Sequence, residues 1–504
     1  MGDANSALTP AETKHLLRRT GLGLTKRDRR TIARNRKTRG ELVDKILRFK
    51  PKKVRFKGDG LDDAVDAWLL HLWKTRTPLA EKLVLFWHDH FSTAFDTVGR
   101  TGLMTKQNQL LRTHAKGNFK TLVKAINRDP AMMEFLDTVR NRRQNPNENY
   151  ARELCELFTL GVQDLLGQDN YTQDDIVQIA RAFTGWRYAV PERRDEPDYE
   201  RAESSFDPDR HDFAEHYPER GPKVLFTTTG GFGPGGRAFD ADGEGAAEID
   251  AVIDILLDHR DSTGKNTTAR RIAYRLLEFF AHPEPDLAVV DEVVAASGFD
   301  VTWSIEALLR AILVHDAFYL TASAAPFDGA AVKSVRWPAD YVIGTTRSLG
   351  MKLKIEKERG LRIEGGSGLR VRDHLEDMGQ ALMNPPSVFG WEWETAWLSS
   401  ATLLARYRFA RDLGAAREGR QNVLVPKKFI NLKLTDPDAI LDAVLGALGI
   451  EDQLTAEERD YLLDYLTDGG ATTTLDLKND EDAVAEKLHG LVALALQAPA
   501  AHLN

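Results

Sequence analysis

Thr172-Gln-Asp-Asp-Ile-Val-Gln-Ile-Ala-Arg-Ala-Phe183 is the stretch that decides the fold class. Thr172 followed by an acid three positions on is a capping-box start, because each side chain can satisfy the other's free backbone N–H. Ile176, Ile179, Ala180 and Phe183 then recur at the spacing that lays one apolar stripe along a helix. The same grammar runs outward in both directions. Thr9-Pro-Ala-Glu12 opens a helix that Gly21 can end. Helical spacing marks Ala64–Trp73, the run from Pro78 through Trp87, Asn118–Asn127, Ala131–Leu136, Ile249–Leu257, Ala269–Phe280, Leu287–Ala296 and Ile305–Val314. It also marks Trp337–Leu349, His374–Leu382, Ser399–Leu413 and several runs after Pro437. Strand signals are sparse, and Lys223–Thr229 is the best of them. The expected fold is therefore mainly α: a large multi-helix domain with a long irregular Gly/Pro-rich insertion and little β.

Five segments are expected. Residues 1–60 form a basic helical segment, and 61–187 and 246–431 are two halves of a helical core. Residues 188–245 form the irregular insertion, too long for a plain loop in a compact domain. Residues 432–504 form an acidic helical module. The chain has 504 residues, 42% of them apolar and 29% charged, which excludes a disordered or fibrous chain. Its single cysteine, Cys155, excludes an intrachain disulfide and any zinc site built on paired thiolates. The N-terminus lacks the pattern of a signal peptide and no apolar run is long enough to span a membrane, so a cytoplasmic location is expected.

Net charge is −8, yet cations crowd between Arg18 and Lys57. Such an arm can serve an anionic partner, or it can be a solvated face docked on the acidic body. Few aromatics interleave it, so a nucleic-acid role is disfavoured.

Three clusters carry possible chemistry. In Phe86-Trp-His-Asp-His-Phe91, His88 and His90 are metal-ligand types, but positions two apart on a helix point about 200° from each other. They can share an ion only where the helix ends, as Ser92-Thr-Ala suggests. Otherwise one is a core histidine and the other a surface one. In Asn145-Pro-Asn-Glu-Asn-Tyr-Ala-Arg-Glu-Leu-Cys-Glu-Leu-Phe-Thr-Leu-Gly161, Asn145 is the expected cap, Pro146 the first helical residue and Glu148 its capping-box partner. Arg152 can pair with Glu148 or Glu156. Glu153 and Glu156 can share a face, either as metal carboxylates or as part of a salt-bridged surface. In the insertion, His211-Asp212 can complete a metal site, act as a proton-transfer dyad, or be a turn. Gly230–Gly236 is a mobile loop rather than a phosphate loop, since no Gly-Lys-Ser/Thr follows. Trp391, Trp393 and Trp397 can form a platform for sugar or peptide, with at least one packed in the core. Cys155 reads as a packed small residue.

With these residues in order, the sequence resembles the DUF1800 family, a large uncharacterised bacterial family. The resemblance rests on His15-Leu-Leu-Arg-Arg-Thr-Gly-Leu-Gly, Phe86–Phe91, Asp129-Pro-Ala-Met, Asn147–Gly161 and Tyr171-Thr-Gln-Asp-Asp. It continues through Ala180-Arg-Ala-Phe-Thr-Gly-Trp, His211-Asp212, Pro385-Pro-Ser-Val-Phe-Gly-Trp and Leu403-Leu-Ala-Arg, covering about residues 8–412. The resemblance implies a mainly helical protein, often encoded beside a DUF1501 protein, itself similar to sulfatases or phosphatases. It transfers no catalytic residues. Many relatives carry an export signal where this chain has none. In relatives a Lys follows the His-Asp pair within a few residues; here Phe213 to Pro222 intervene.

The leading expectation is a metal-dependent enzyme acting on a small molecule or peptide. His88, His90, Glu153, His211 and Glu148 would hold one iron, manganese or zinc ion. Glu156, Asp212 and Arg152 would be catalytic residues around it. Oxidoreductase or hydroxylase chemistry leads by analogy, a hydrolase is the alternative, and a non-catalytic binding or scaffold protein is the rival.

Overall fold

The computed structural model describes residues 4–504 except 59, 194–195, 214, 240–244, 323–332, 358, 365–369, 416 and 419–420. Parts of the expected insertion (194–195, 214 and 240–244) thus lie outside the described residues.

The protein is mainly α. Among the described residues, helices alternate with five two-stranded antiparallel ribbons that never join into a larger sheet. The first three helices are α1 (Pro10–Arg19), α2 (Lys26–Arg34) and α3 (Arg39–Leu47), and each opens on a closed capping box. Thr9 with Glu12, Thr25 with Asp28 and Thr38 with Glu41 fix each start locally. The Thr172 start has the same construction, with Asp175 as its partner.

Helix α4 (Leu61–Lys74) leads to α5 (Pro78–His90), the centre of the molecule. Every residue of α5 after Pro78 is buried, so it is covered on all sides. Trp87 and, from α4, Trp68 are fully buried. Each indole removes roughly 150–250 Å² from water, about 4–6 kcal/mol as an upper bound.

Two charges on α5 are matched inside the core. Burial alone would raise the Glu81 carboxyl, but His71 and Arg112 hold it down to about 2. Arg112 donates to both carboxylate oxygens, at 3.1 and 2.9 Å. Lys82 lies 3.3 Å from Asp340 of the helix Pro338–Ser348.

The C-terminal stretch is tied back to the start of the chain. Arg18 donates to the Leu503 carbonyl at 2.8 Å, and Tyr341 to that of Leu496 at 2.8 Å. Helix His489–Gln497 packs closely on Ser400–Ala415, where a Cβ at Gly414 would come within 2.9 Å of Ala493.

Four sequence expectations are corrected. The helix expected at Asn145 starts at Asn149, with Glu148 at its cap and no side-chain cap bond. Asn147 instead accepts the Asn149 amide at 2.9 Å, a local turn that competes with helix initiation. Immediately after Glu153 the helix widens into a π-turn, Leu154–Thr159, which breaks the regular spacing of Glu153 and Glu156. The strand expected over Lys223–Thr229 is two residues, Val224–Leu225, because Phe226 takes φ +58°. The helix expected over His374–Leu382 spans Val371–Asp377. A hairpin, Leu353–Glu356 with Gly360–Ile363, was not foreseen. The carboxylate of Asp66 accepts its Leu361 amide at 2.8 Å.

Candidate functional site

Helix α5 ends at His90, as the Ser92 signal implied, and its last three residues reach three different places. His88 Nε2 accepts the Met383 amide at 3.1 Å, which puts the ring proton on Nδ1. Its ring stands edge-on to Trp68 and Trp391, and burial lowers it to about 4. The bond steadies Met383, whose φ of +63° is unfavourable for a residue with a side chain. His90 points elsewhere. Its Nε2 lies 3.1 Å from the Phe158 carbonyl and therefore carries the proton. The ring stacks parallel to Phe86, and burial, with Arg275 and Arg271 nearby, lowers it to about 3. Both imidazoles are thus committed to backbone groups on separate elements.

Asp89, between them, holds a loop. Its carboxylate accepts the Trp391 amide at 2.8 Å and the Trp393 indole N–H at 2.9 Å, and Arg275 lies 3.5 Å away. Burial raises the carboxyl to about 6. Gly390 sits against it at φ +82°, where an added Cβ would come within 2.4 Å of Asp89 Oδ1. Ser92 adds a bond to the Ser387 carbonyl at 2.7 Å.

The other predicted residues lie in two further networks. Glu148 accepts from Arg152 at 3.0 Å and from Gln173 at 2.8 Å, the surface pair the spacing predicted. Glu156 accepts the Tyr171 hydroxyl at 3.2 Å, and its backbone carbonyl takes Arg271 at 3.1 Å. Glu153, half-buried, is raised by burial and by the neighbouring charge of Glu156.

His211 and Asp212 are fully buried and form the third network. His211 Nδ1 donates to the Thr184 carbonyl at 2.8 Å, and its Nε2 lies 3.3 Å from Glu248. Asp212 takes Arg181 at 3.1 Å and Arg220 at 2.6 Å. The longer spacing after the His-Asp pair does not keep the following lysine away: Lys223 comes back to pair with Glu248 at 2.7 Å, beside His211.

His88, His90, Glu153, His211 and Glu148 are therefore not gathered round a common point, and Glu156, Asp212 and Arg152 do not surround one. Among the described residues, no three His, Cys, Asp or Glu side chains are grouped to hold a metal ion. The imidazole nitrogens named above are taken by backbone and ion-pair partners, so this donor set does not fit a single shared ion.

What the motifs do build is a cleft of about 700 Å³ beside the Asp89 clamp. Arg275 and Glu278 from the helix Thr267–Phe280 line one side, and Phe389, Trp391, Trp393 and Trp397 line the other. The Arg275 guanidinium lies 4.2 Å from the centre of the Trp393 ring. Trp391 and Trp397 are 3% exposed and pack round Trp337, while Trp393 is half-buried and Phe389 is 67% exposed at the lip. The indole N–H groups of Trp391 and Trp397 are buried with no hydrogen-bond partner among the described residues. Burial raises Glu278, against the opposing pull of Arg275 and Arg271. Sequence reasoning passed over Arg275 and Glu278, which sit in an ordinary amphipathic helix. The signal for Asp89 was its place between the two histidines.

Comparison with curated proteins and with solved structures finds no match. The family described as "Protein of unknown function (DUF1800)" matches residues 15–503, running past the quoted motifs through the C-terminal helices. The chain, two of whose motifs meet where the buried helix end holds the tryptophan loop, belongs to the DUF1800 family.

Proposed function

We propose that this protein binds an oxygen-rich, ring-containing ligand of the carbohydrate class in the tryptophan cleft. The observation that carries the reading is the Asp89 clamp, which holds Trp393 under Arg275 at the wall of an open cleft. A sugar presents an apolar C–H face to an aromatic ring and hydroxyls around its edge. Phe389, exposed at the lip, supplies an open ring face, and Trp393 stands behind Arg275 at the wall. Arg275 donates and Glu278 accepts at the edge of such a ring. The site is pre-formed, of a size suited to two or three rings. Titration calorimetry with cellohexaose and chitohexaose tests this. Binding of either by the parent protein, weakened at least tenfold in Trp393→Ala, supports it. Binding only of peptides from a parallel library, or unchanged affinity in Trp393→Ala, overturns it.

Metal-dependent catalysis, of oxidoreductase or hydrolase type, is a second reading that one observation favours. Burial, and after it the charge of Glu156, raises the cost of ionising Glu153. A divalent iron, manganese or zinc ion relieves such repulsion. A partner protein of the DUF1501 type and a small-molecule or peptide substrate belong to the same proposal.

A further inference from the structure

The basic arm is neutralised only in part: Arg39 pairs with Asp316 and Glu12. Arg29 is consumed in fixing α2, its guanidinium donating to the carbonyls of Leu24, Ser348 and Ala447. Arg347 is consumed likewise by Leu22, Leu72, Trp73 and Thr75. Between these anchors α2, α3 and the α4–α5 turn enclose a cleft of about 720 Å³. Leu42, Leu79 and Met351 are buried and Ile46 and Trp73 half-buried, so the cleft has an apolar floor. Arg27, Lys45, Arg48 and Arg76 are exposed around it. None of these four has an ion pair among the described residues. Asp28, tied into its capping box, is the one carboxylate of the lining among the described residues. A second basic groove, with Arg30, Arg34 and Lys37, continues from the same rim.

Four uncompensated cations over an apolar floor leave like charges unrelieved, and an anion placed among them removes that repulsion. The floor asks for something that the rim does not: an apolar body attached to the anion. The apolar floor suits a small molecule with an apolar body rather than a polyanion. One indole at the floor is too little for a run of stacked bases.

We propose that the α2–α3 cleft binds an amphipathic anion, a phosphate, sulfate or carboxylate head carried on an apolar body, with Arg27, Lys45, Arg48 and Arg76 holding the head. Titration calorimetry with monomeric dihexanoylphosphatidic acid tests it, with dihexanoylphosphatidylcholine and inorganic phosphate as controls. The triple variant Lys45→Gln, Arg48→Gln, Arg76→Gln removes exposed, unpaired side chains, and its thermal melt checks that the fold is kept. Ile46→Glu places a charge on the floor without touching the rim. The expected result is binding of the phosphatidic acid, weakened at least a hundredfold by the triple variant and at least tenfold by Ile46→Glu. Sedimentation with vesicles containing phosphatidylglycerol then separates the sources. Retention that the triple variant abolishes assigns a membrane headgroup; soluble binding without retention assigns a free amphiphile; either supports the proposal. It is overturned by no binding of the soluble probe, equal binding of the phosphatidylcholine, inorganic phosphate binding as tightly, or affinity unchanged in the variants. Duplex DNA binding that displaces the probe also overturns it in favour of a nucleic-acid face.

Discussion

Asp89 and Trp393, 304 positions apart in the chain, meet in a 2.9 Å hydrogen bond between a buried carboxylate and an indole N–H. The bond joins the end of the central helix to the loop that forms the cleft wall. Burial penalises the charge, which is why the carboxyl rises to about 6. Yet the bond, with the Trp391 amide on the other oxygen, fixes two tryptophans at once.

Gly390→Ala is expected to lower stability by about 3 kcal/mol. The left-handed backbone costs a residue with a side chain roughly 1–2 kcal/mol, and the new methyl meets Asp89 Oδ1 at 2.4 Å. Urea unfolding measures the total. A loss below about 1 kcal/mol would show that the loop is not held tightly by Asp89.

Stability should fall as pH drops below the ordinary histidine range. His88 and His90 are lowered to about 4 and about 3, and His259 and His502 to about 4 and about 3, so the unfolded chain takes up protons first. Stability from these groups is full above about 6.5 and is lost as pH falls toward their folded values. Asp89 works the other way: raised from 3.8 to about 6, it favours the native state more at the acidic end of that interval. Asp129, raised to about 6, and Glu394, raised to about 7, act with it, but the four histidines, joined by His15, outnumber these three carboxyls, so the urea midpoint should decline between pH 6.5 and 4. It should decline less in His90→Gln than in the parent.

Breaking the Lys223–Glu248 pair on one side leaves a charge buried beside His211. Lys223→Met should cost about 3–5 kcal/mol. The double variant Lys223→Met, Glu248→Leu should recover most of that, because no charge is then left alone. Additive losses in the thermal unfolding of the double variant would refute the coupling.

If Glu153 and Glu156 share a divalent ion, protein purified without chelator should carry close to one equivalent of iron, manganese or zinc by elemental analysis. Glu153→Gln should lose it with little change in melting temperature, since the carboxylate is only half-buried. Metal content below a tenth of an equivalent after reconstitution with each ion would end the metal reading.

Much of the helical scaffold was legible, because its starts are local. Thr9, Asn118, Thr172 and Ser304 each cap a helix within three residues, and Ile305–Val314 runs as its periodicity indicated. Less legible were elements decided across the chain. Asn147 chose a turn, and the hairpin at 353–363 leans on Asp66 from another helix. The candidate residues were recognised as polar groups of consequence, but nothing local says where a side chain will aim. His88 and His90, about 200° apart round the helix, serve Met383 and Phe158, on different elements. Trp391 and Trp397 went to packing, as at least one had to, while Arg275 and Glu278 gave no sequence signal.

The enclosed position of α5 sets an order on biosynthesis. Its lysine waits for Asp340, its histidine for Met383 and its aspartate for Trp393, all made hundreds of residues later. A nascent chain released before those positions leave the ribosome would hold an apolar rod with charges it cannot match, a natural ligand for chaperones. Closure of the molecule is therefore a late event, and premature termination anywhere ahead of the tryptophan loop should yield material that quality control removes rather than a shortened working protein.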